Sequence, residues 1–167
     1  MDKLLSYVMI FCFLLSSTAF AMGQAPNGTV KDSSVGGGAP DVVLSKTDGS
    51  SSDIIGSNKG KKIVLIFWAT WCPHCYEELG SINQNIASVE AKGIKIVLVD
   101  VGESVGQVQS YFRHRQMNLV SFVDENSFLM DAYHLIGVPT LVFIDENGHI
   151  RNVTHTFPSD YENYFHP

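Results

Sequence analysis

Cys72 and Cys75, with only Pro73 and His74 between them, are the residues of this chain best equipped for chemistry. Two thiols at that spacing can close a disulfide across the first turn of a helix, and open it again. The run before them, Lys62-Ile63-Val64-Leu65-Ile66-Phe67, is apolar, β-branched and too short for a helix, so it reads as a buried strand. Glu77 to about Ala91 follows as a helix, with Leu79, Ile82, Ile86 and Val89 at three- and four-residue spacing. The pair therefore falls at a strand-to-helix junction, where unpaired N–H groups and the positive end of the helix dipole favour an anion. A reactive thiolate is stabilised there. The imidazole of His74 would add to that stabilisation when charged, although the same residue also reads as a plain surface histidine. Pro73 takes an early helical position, where its missing N–H costs nothing.

The start of the chain bears on what the thiols can do. Lys3 precedes an apolar run from Leu4 to Leu15, and Ala19-Phe20-Ala21 is a small-x-small cleavage pattern. Residues 1–21 are expected to be a cleaved export signal, an uncleaved anchor being the other reading, since the run is shorter than a usual span of ~20 residues. Cys12 would leave with the signal, and Cys72 and Cys75 would be the remaining thiols in a compartment where disulfides persist. A solitary CxxC in that setting points to redox chemistry rather than to half a zinc site. The histidines His114, His134, His149, His155 and His166 follow no metal-ligand spacing. No metal and no cofactor are expected, and the net charge of −6, without a basic cluster beyond Lys59, Lys61 and Lys62, argues against nucleic acid.

The elements that position the pair alternate along the chain. Gly- and Ser-rich residues 22–38 read as a flexible linker, and 39–167 as one domain. Val42–Leu44 and Ser52–Ile55 form an expected β-hairpin around Asp48-Gly49. After the Ile63–Phe67 strand and its helix, ended by Lys92-Gly93, come a strand at Ile94–Val99, a helix at about Ser104–Arg115, a strand at Ser121–Val123 and a helix at Ser127–His134. Thr140–Ile144 and His149–Val153 make a hairpin across Asp145-Glu146-Asn147-Gly148, and Ser159 would cap a last helix reaching Phe165. The pattern predicts an α/β fold with a mainly parallel central sheet, mixed through its terminal hairpin, and helices on both faces.

Ala39-Pro40-Asp41, Gly60-Lys61-Lys62, Phe67-Trp68-Ala69-Thr70-Trp71-Cys72, Gly137-Val138-Pro139-Thr140 and Phe143–Gly148 occur in an order that resembles the thioredoxin superfamily. Within it the chain looks like the TlpA/ResA-like exported thiol–disulfide oxidoreductases. The resemblance runs from about Ala39 to Val153 and implies a three-layer thioredoxin-like fold with an N-terminal β-hairpin. Pro-His between the cysteines and Val before the proline resemble DsbA instead. The 63 residues between Cys75 and Pro139 leave no room for the helical domain that DsbA-like proteins insert there.

The resemblance also implies roles. Cys72 would be the nucleophile and Cys75 the resolving thiol, with Pro73, His74 and Trp71 modulating the site. Pro139 would be cis and pack on the disulfide, leaving the backbone of Val138 to pair with an extended substrate. Glu78 stands where these relatives carry an acidic residue, able to assist proton transfer at Cys75, or else is a solvated charge favourable to the helix dipole. Relatives often carry proline where this chain has Gly80, and thioredoxin's buried aspartate is replaced by Ile66. Expected partners are exported protein thiols or disulfides and a membrane redox protein that recycles the site, in the periplasm. Reduction is weakly favoured over DsbA-like oxidation, with a copper-binding chaperone as a further reading. A peroxidase is less well supported, because Ala69 stands where peroxiredoxins place threonine.

Overall fold

A computed structural model describes residues 34–166. The expected export signal and most of the expected linker lie outside the described residues. In chain order the elements are β1 (Val43–Lys46), β2 (Ser51–Asp53), β3 (Lys62–Trp68), α1 (Pro73–Glu90), β4 (Ile94–Val101), α2 (Val105–Arg115), β5 (Ser121–Asp124), α3 (Phe128–Ala132), β6 (Thr140–Ile144) and β7 (Ile150–Thr154). Short 3₁₀ turns lie at Gly56–Asn58 and Tyr161–Phe165.

The strands form one sheet in the order β2-β1-β5-β4-β3-β6-β7. Ile63–Trp68 of β3 are buried throughout, as a central strand covered on both faces must be. Val64, Ile66 and Trp68 face a layer made by Leu79 and Ile82 of α1 and Val108 and Phe112 of α2. Ile63, Leu65 and Phe67 face the other way, against Leu129 and Ala132 of α3 and the preceding Ile54 and Ile55. The three layers, the mixed sheet and the β1–β2 hairpin are as expected.

Two expectations change. Only β3–β4 and β4–β5 are parallel, while β1–β2, β1–β5, β3–β6 and β6–β7 are antiparallel. The sheet is therefore not mainly parallel. The cause is α3: five residues of helix rise only about 7.5 Å, too little to return the chain along a strand, so β6 starts at the end where β5 stops. The last element is a 3₁₀ turn with Asp160, not Ser159, at its N-cap. No side chain caps this segment, and ring packing shapes the turn, with Tyr164 and Phe165 at 5.0 and 5.4 Å from Phe143.

The active-site helix begins at Pro73, four residues ahead of the expected Glu77, with Cys72 as N-cap. Gly93 ends the turn after it with a positive φ of 80°, a conformation glycine adopts without penalty. Gly36–Gly38, the end of the expected linker, bond to the rim of β7: Gly36 N–H donates to the Ile150 carbonyl at 2.7 Å, and Ile150 N–H to that of Gly37 at 2.9 Å.

Candidate active site

β3 delivers Ala69 and Thr70 to the end of the sheet, and Cys72 turns the chain into α1 with an extended backbone. Cys72 and Cys75 are joined as a disulfide, both buried. The Cys75 N–H, one of the donors a helix leaves unpaired at its start, donates to Cys72 Sγ at 3.1 Å. That donor would serve a thiolate at Cys72 equally well.

β6 runs antiparallel to β3 with Thr140 opposite Phe67, which brings the residues before it to the disulfide. The Val138–Pro139 peptide bond is cis, and the Val138 carbonyl oxygen lies 3.5 Å from Cys72 Sγ. The Thr140 hydroxyl donates to the Gly137 carbonyl at 2.7 Å. His155 Nδ1 stands 2.9 Å from the Pro139 carbonyl oxygen, where a ring N–H donates. His155 thus belongs to the scaffold of this loop, which its sequence position did not reveal.

The other candidates separate. Trp68 is fully buried, donates from Nε1 to Ser121 Oγ at 3.0 Å and stacks on Phe112 at 5.1 Å. Trp71 is 68% exposed beside the disulfide. The His74 side chain is 85% exposed, with Nδ1 3.9 Å from a Glu77 carboxylate oxygen, so its nearest recorded ionic neighbour is an acid. Glu78 is half-buried and accepts from the Phe157 N–H at 3.3 and 3.4 Å, which ties the first turns of α1 to the C-terminal segment. Tyr76 carries the Arg115 guanidinium over its ring at 4.5 Å, a contact no spacing announced. Ile136, 94% exposed, sits two residues before Val138.

Sequence reading also passed over an acidic pair below the Thr70 bend. Glu103 accepts from the Thr70 N–H at 2.6 Å and its hydroxyl at 2.5 Å. Asp100 is fully buried at the end of β4, opposite Trp68. Burial, and then the neighbouring Glu103, push its carboxyl up to about 8. The available signal was an aspartate following the apolar run Ile96–Val99 of a buried strand. Among the described residues no group of three His, Cys, Asp or Glu side chains is placed to hold a metal ion.

Comparison with known proteins agrees with this geometry. The AhpC/TSA family pattern matches residues 35–153. The thiol–disulfide oxidoreductase ResA of Geobacillus thermodenitrificans is 30% identical over 149 residues, covering 89% of this chain and 78% of that one. ResA of Bacillus subtilis is 28% identical over 163 residues, 95% and 90% of the two chains. Among solved structures, a putative thiol:disulfide interchange protein DsbE from Chlorobium tepidum superposes with a TM-score of 0.66 at 27% identity, covering 75% of this chain and 89% of that one. StoA from Bacillus subtilis gives 0.60 at 25% identity, over 69% and 87%. A thioredoxin-like sheet with a closed CxxC at the head of its first helix has the same meaning here as in those relatives: the chain belongs to the AhpC/TSA family and is a thiol–disulfide oxidoreductase of the TlpA/ResA-like kind.

Proposed function

We propose that the chain exchanges disulfides with exported proteins and works mainly as their reductant, with Cys72 as nucleophile and Cys75 as resolving thiol. In the reduced enzyme the Cys72 thiolate attacks a sulfur of the substrate disulfide, forms a mixed disulfide and expels one substrate thiolate. Cys75, as thiolate, then attacks Cys72 Sγ and expels the second. Substrate gains two electrons and two protons, and the enzyme is left as the disulfide described above. A membrane redox partner would restore the thiols.

One observation carries this reading: a disulfide at a helix N-terminus, with the Val138 carbonyl at 3.5 Å and the exposed Trp71 and Ile136 beside it. An extended polypeptide can pair with the Val138 backbone and lay apolar side chains on those two residues, which supports a protein rather than a small-molecule substrate. The ResA and DsbE likenesses support thiol–disulfide exchange, and the TlpA/ResA-like body inclines the reading towards reduction. The expected export signal supports a periplasmic site of action.

Equilibrating the purified chain with glutathione buffers tests the direction. A potential near −250 mV or lower is expected, whereas about −120 mV would make the protein an oxidant dominated by His74 and the helix terminus. Absence of a reversible couple would overturn the assignment.

A further inference from the structure

Asp100 has no exposed surface, and neither of its oxygens receives a hydrogen bond from a described residue. An ionised carboxylate so placed loses its hydration with little beyond the pull of the Glu103 backbone N–H to offset it, a cost usually met by staying neutral. A neutral carboxylic acid has an O–H to give, and the acceptor beside it is Glu103. Glu103 is itself buried and already grips Thr70 through both the backbone N–H and the hydroxyl. Thr70 is two residues from Cys72, with only Trp71 between them. A continuous path thus runs from Asp100 through Glu103 and Thr70 to the nucleophile.

The surroundings reinforce the need for a proton. Asp124 of β5, on the opposite face of the sheet in register with Val101, adds a smaller like-charge effect, its own oxygens taking the N–H groups of Phe128 and Leu129 at 3.1 and 2.7 Å. From α2, Tyr111 faces Glu103, and the cation of this group, Arg115, is spread over the rings of Tyr76 and Tyr111. From α1, Cys72 and Cys75 share the core cluster of Trp68, the cross-strand neighbour of Asp100.

We propose that Asp100 and Glu103 share one proton, and that Asp100 is a positioning residue which holds the Thr70–Cys72 bend and makes that hold depend on pH. With the proton in place, Glu103 is fixed by Asp100 on one side and fixes Thr70 on the other. When Asp100 ionises, two carboxylates oppose each other in a buried site, Glu103 moves away, and the bend loosens. The proposal rests on Cys72 and Cys75 being the reactive couple.

The test uses the reduced full chain. The rate of Cys72 alkylation by iodoacetamide is followed against pH, together with tryptophan fluorescence and the infrared band of protonated carboxyls. Wild type should show two transitions in rate, that of the Cys72 thiol and a second near pH 8, the latter worth about threefold or more. Asp100→Asn keeps a donor for Glu103 and cannot ionise, so it should lose the second transition and the matching infrared band. Glu103→Gln removes the opposing charge and should move the second transition to lower pH. Identical profiles for wild type and Asp100→Asn would overturn the proposal. Should Asp100→Asn not fold, Thr70→Val in the wild-type background decides: a shrunken second transition supports the link, and an unchanged one overturns it. A chain with no reversible glutathione couple would sink the redox assignment while the infrared and fluorescence titrations still reported on Asp100, so the two failures are told apart.

Discussion

Trp68 and Trp71 stand three residues apart in one motif and serve opposite ends. Trp68 spends its ring on Phe112 and its N–H on Ser121, so Trp68→Ala should cost about 3–5 kcal/mol of stability, read from urea denaturation midpoints. Trp71 faces solvent, so Trp71→Ala should stay within about 0.5 kcal/mol of wild type. The same change should slow exchange with an unfolded disulfide protein and leave exchange with a small disulfide unaffected. Equal slowing of both would remove Trp71 from substrate docking. Glu78 invites a different comparison. Glu78→Gln keeps an acceptor for the Phe157 N–H yet cannot carry a proton, so a proton-relay role predicts resolution by Cys75 slowed about tenfold or more, with the denaturation midpoint unchanged. An unaltered resolution rate would reduce Glu78 to a tether between α1 and the C-terminal segment.

At the scale of elements, the β6–β7 hairpin shows how a turn is held. Asp145 Oδ1 accepts from the N–H groups of Asn147 and His149, both at 2.9 Å, and Oδ2 receives Arg151 Nε at 2.8 Å. Burial works to raise this carboxyl, and the bonds from His149, Arg151 and Asn147 outweigh it, holding Asp145 below its ordinary value. Its contribution is therefore present above the unfolded-state value near 4 and is lost as pH falls through the lower folded value. Asp145→Ala should cost about 1–3 kcal/mol at pH 7 and flatten the loss of stability below pH 4, measured by urea titrations at each pH. Elements of this kind were legible in the sequence because they are local. Asn147-Gly148 announced the turn, and the apolar run of β3 announced a central strand. Strand direction around β6 was not legible, because it depends on how short α3 turned out to be. The Thr70–Glu103 clamp joins residues 33 apart in the loops that follow neighbouring strands, and His155 reaches Pro139 from across a hairpin. No spacing rule encodes either contact. The disulfide, its helix and the proline loop were readable, while the side chains that brace them were not.

For the molecule as a whole, Asp100 and Asp145 pull stability in opposite directions along the pH axis. The folded state keeps Asp100 protonated up to about 8, whereas the unfolded chain releases that proton near 4. The unfolded state thus binds fewer protons between those values, and stability falls as pH rises through the window, by up to about 1.4 kcal/mol per pH unit. Asp100→Asn should remove that slope and leave the acid limb governed by Asp145 intact. A wild-type stability that rises steadily from pH 5 to 8 would contradict the buried, neutral Asp100. The bonds of Gly36 and Gly37 to Ile150 have a consequence of another kind. They clip the incoming chain to the β7 rim beside the Ile144 end of β6, while Cys72 lies past the Thr140 end, about 20 Å away along the seven-residue span of β3. Whatever holds this protein by its N-terminus, whether a lipid surface, a bead or a fused domain, therefore grips it from behind. The end of the sheet that carries Cys72 and Cys75 is thus the one turned away from that mooring, and a partner can approach it without meeting whatever holds the chain.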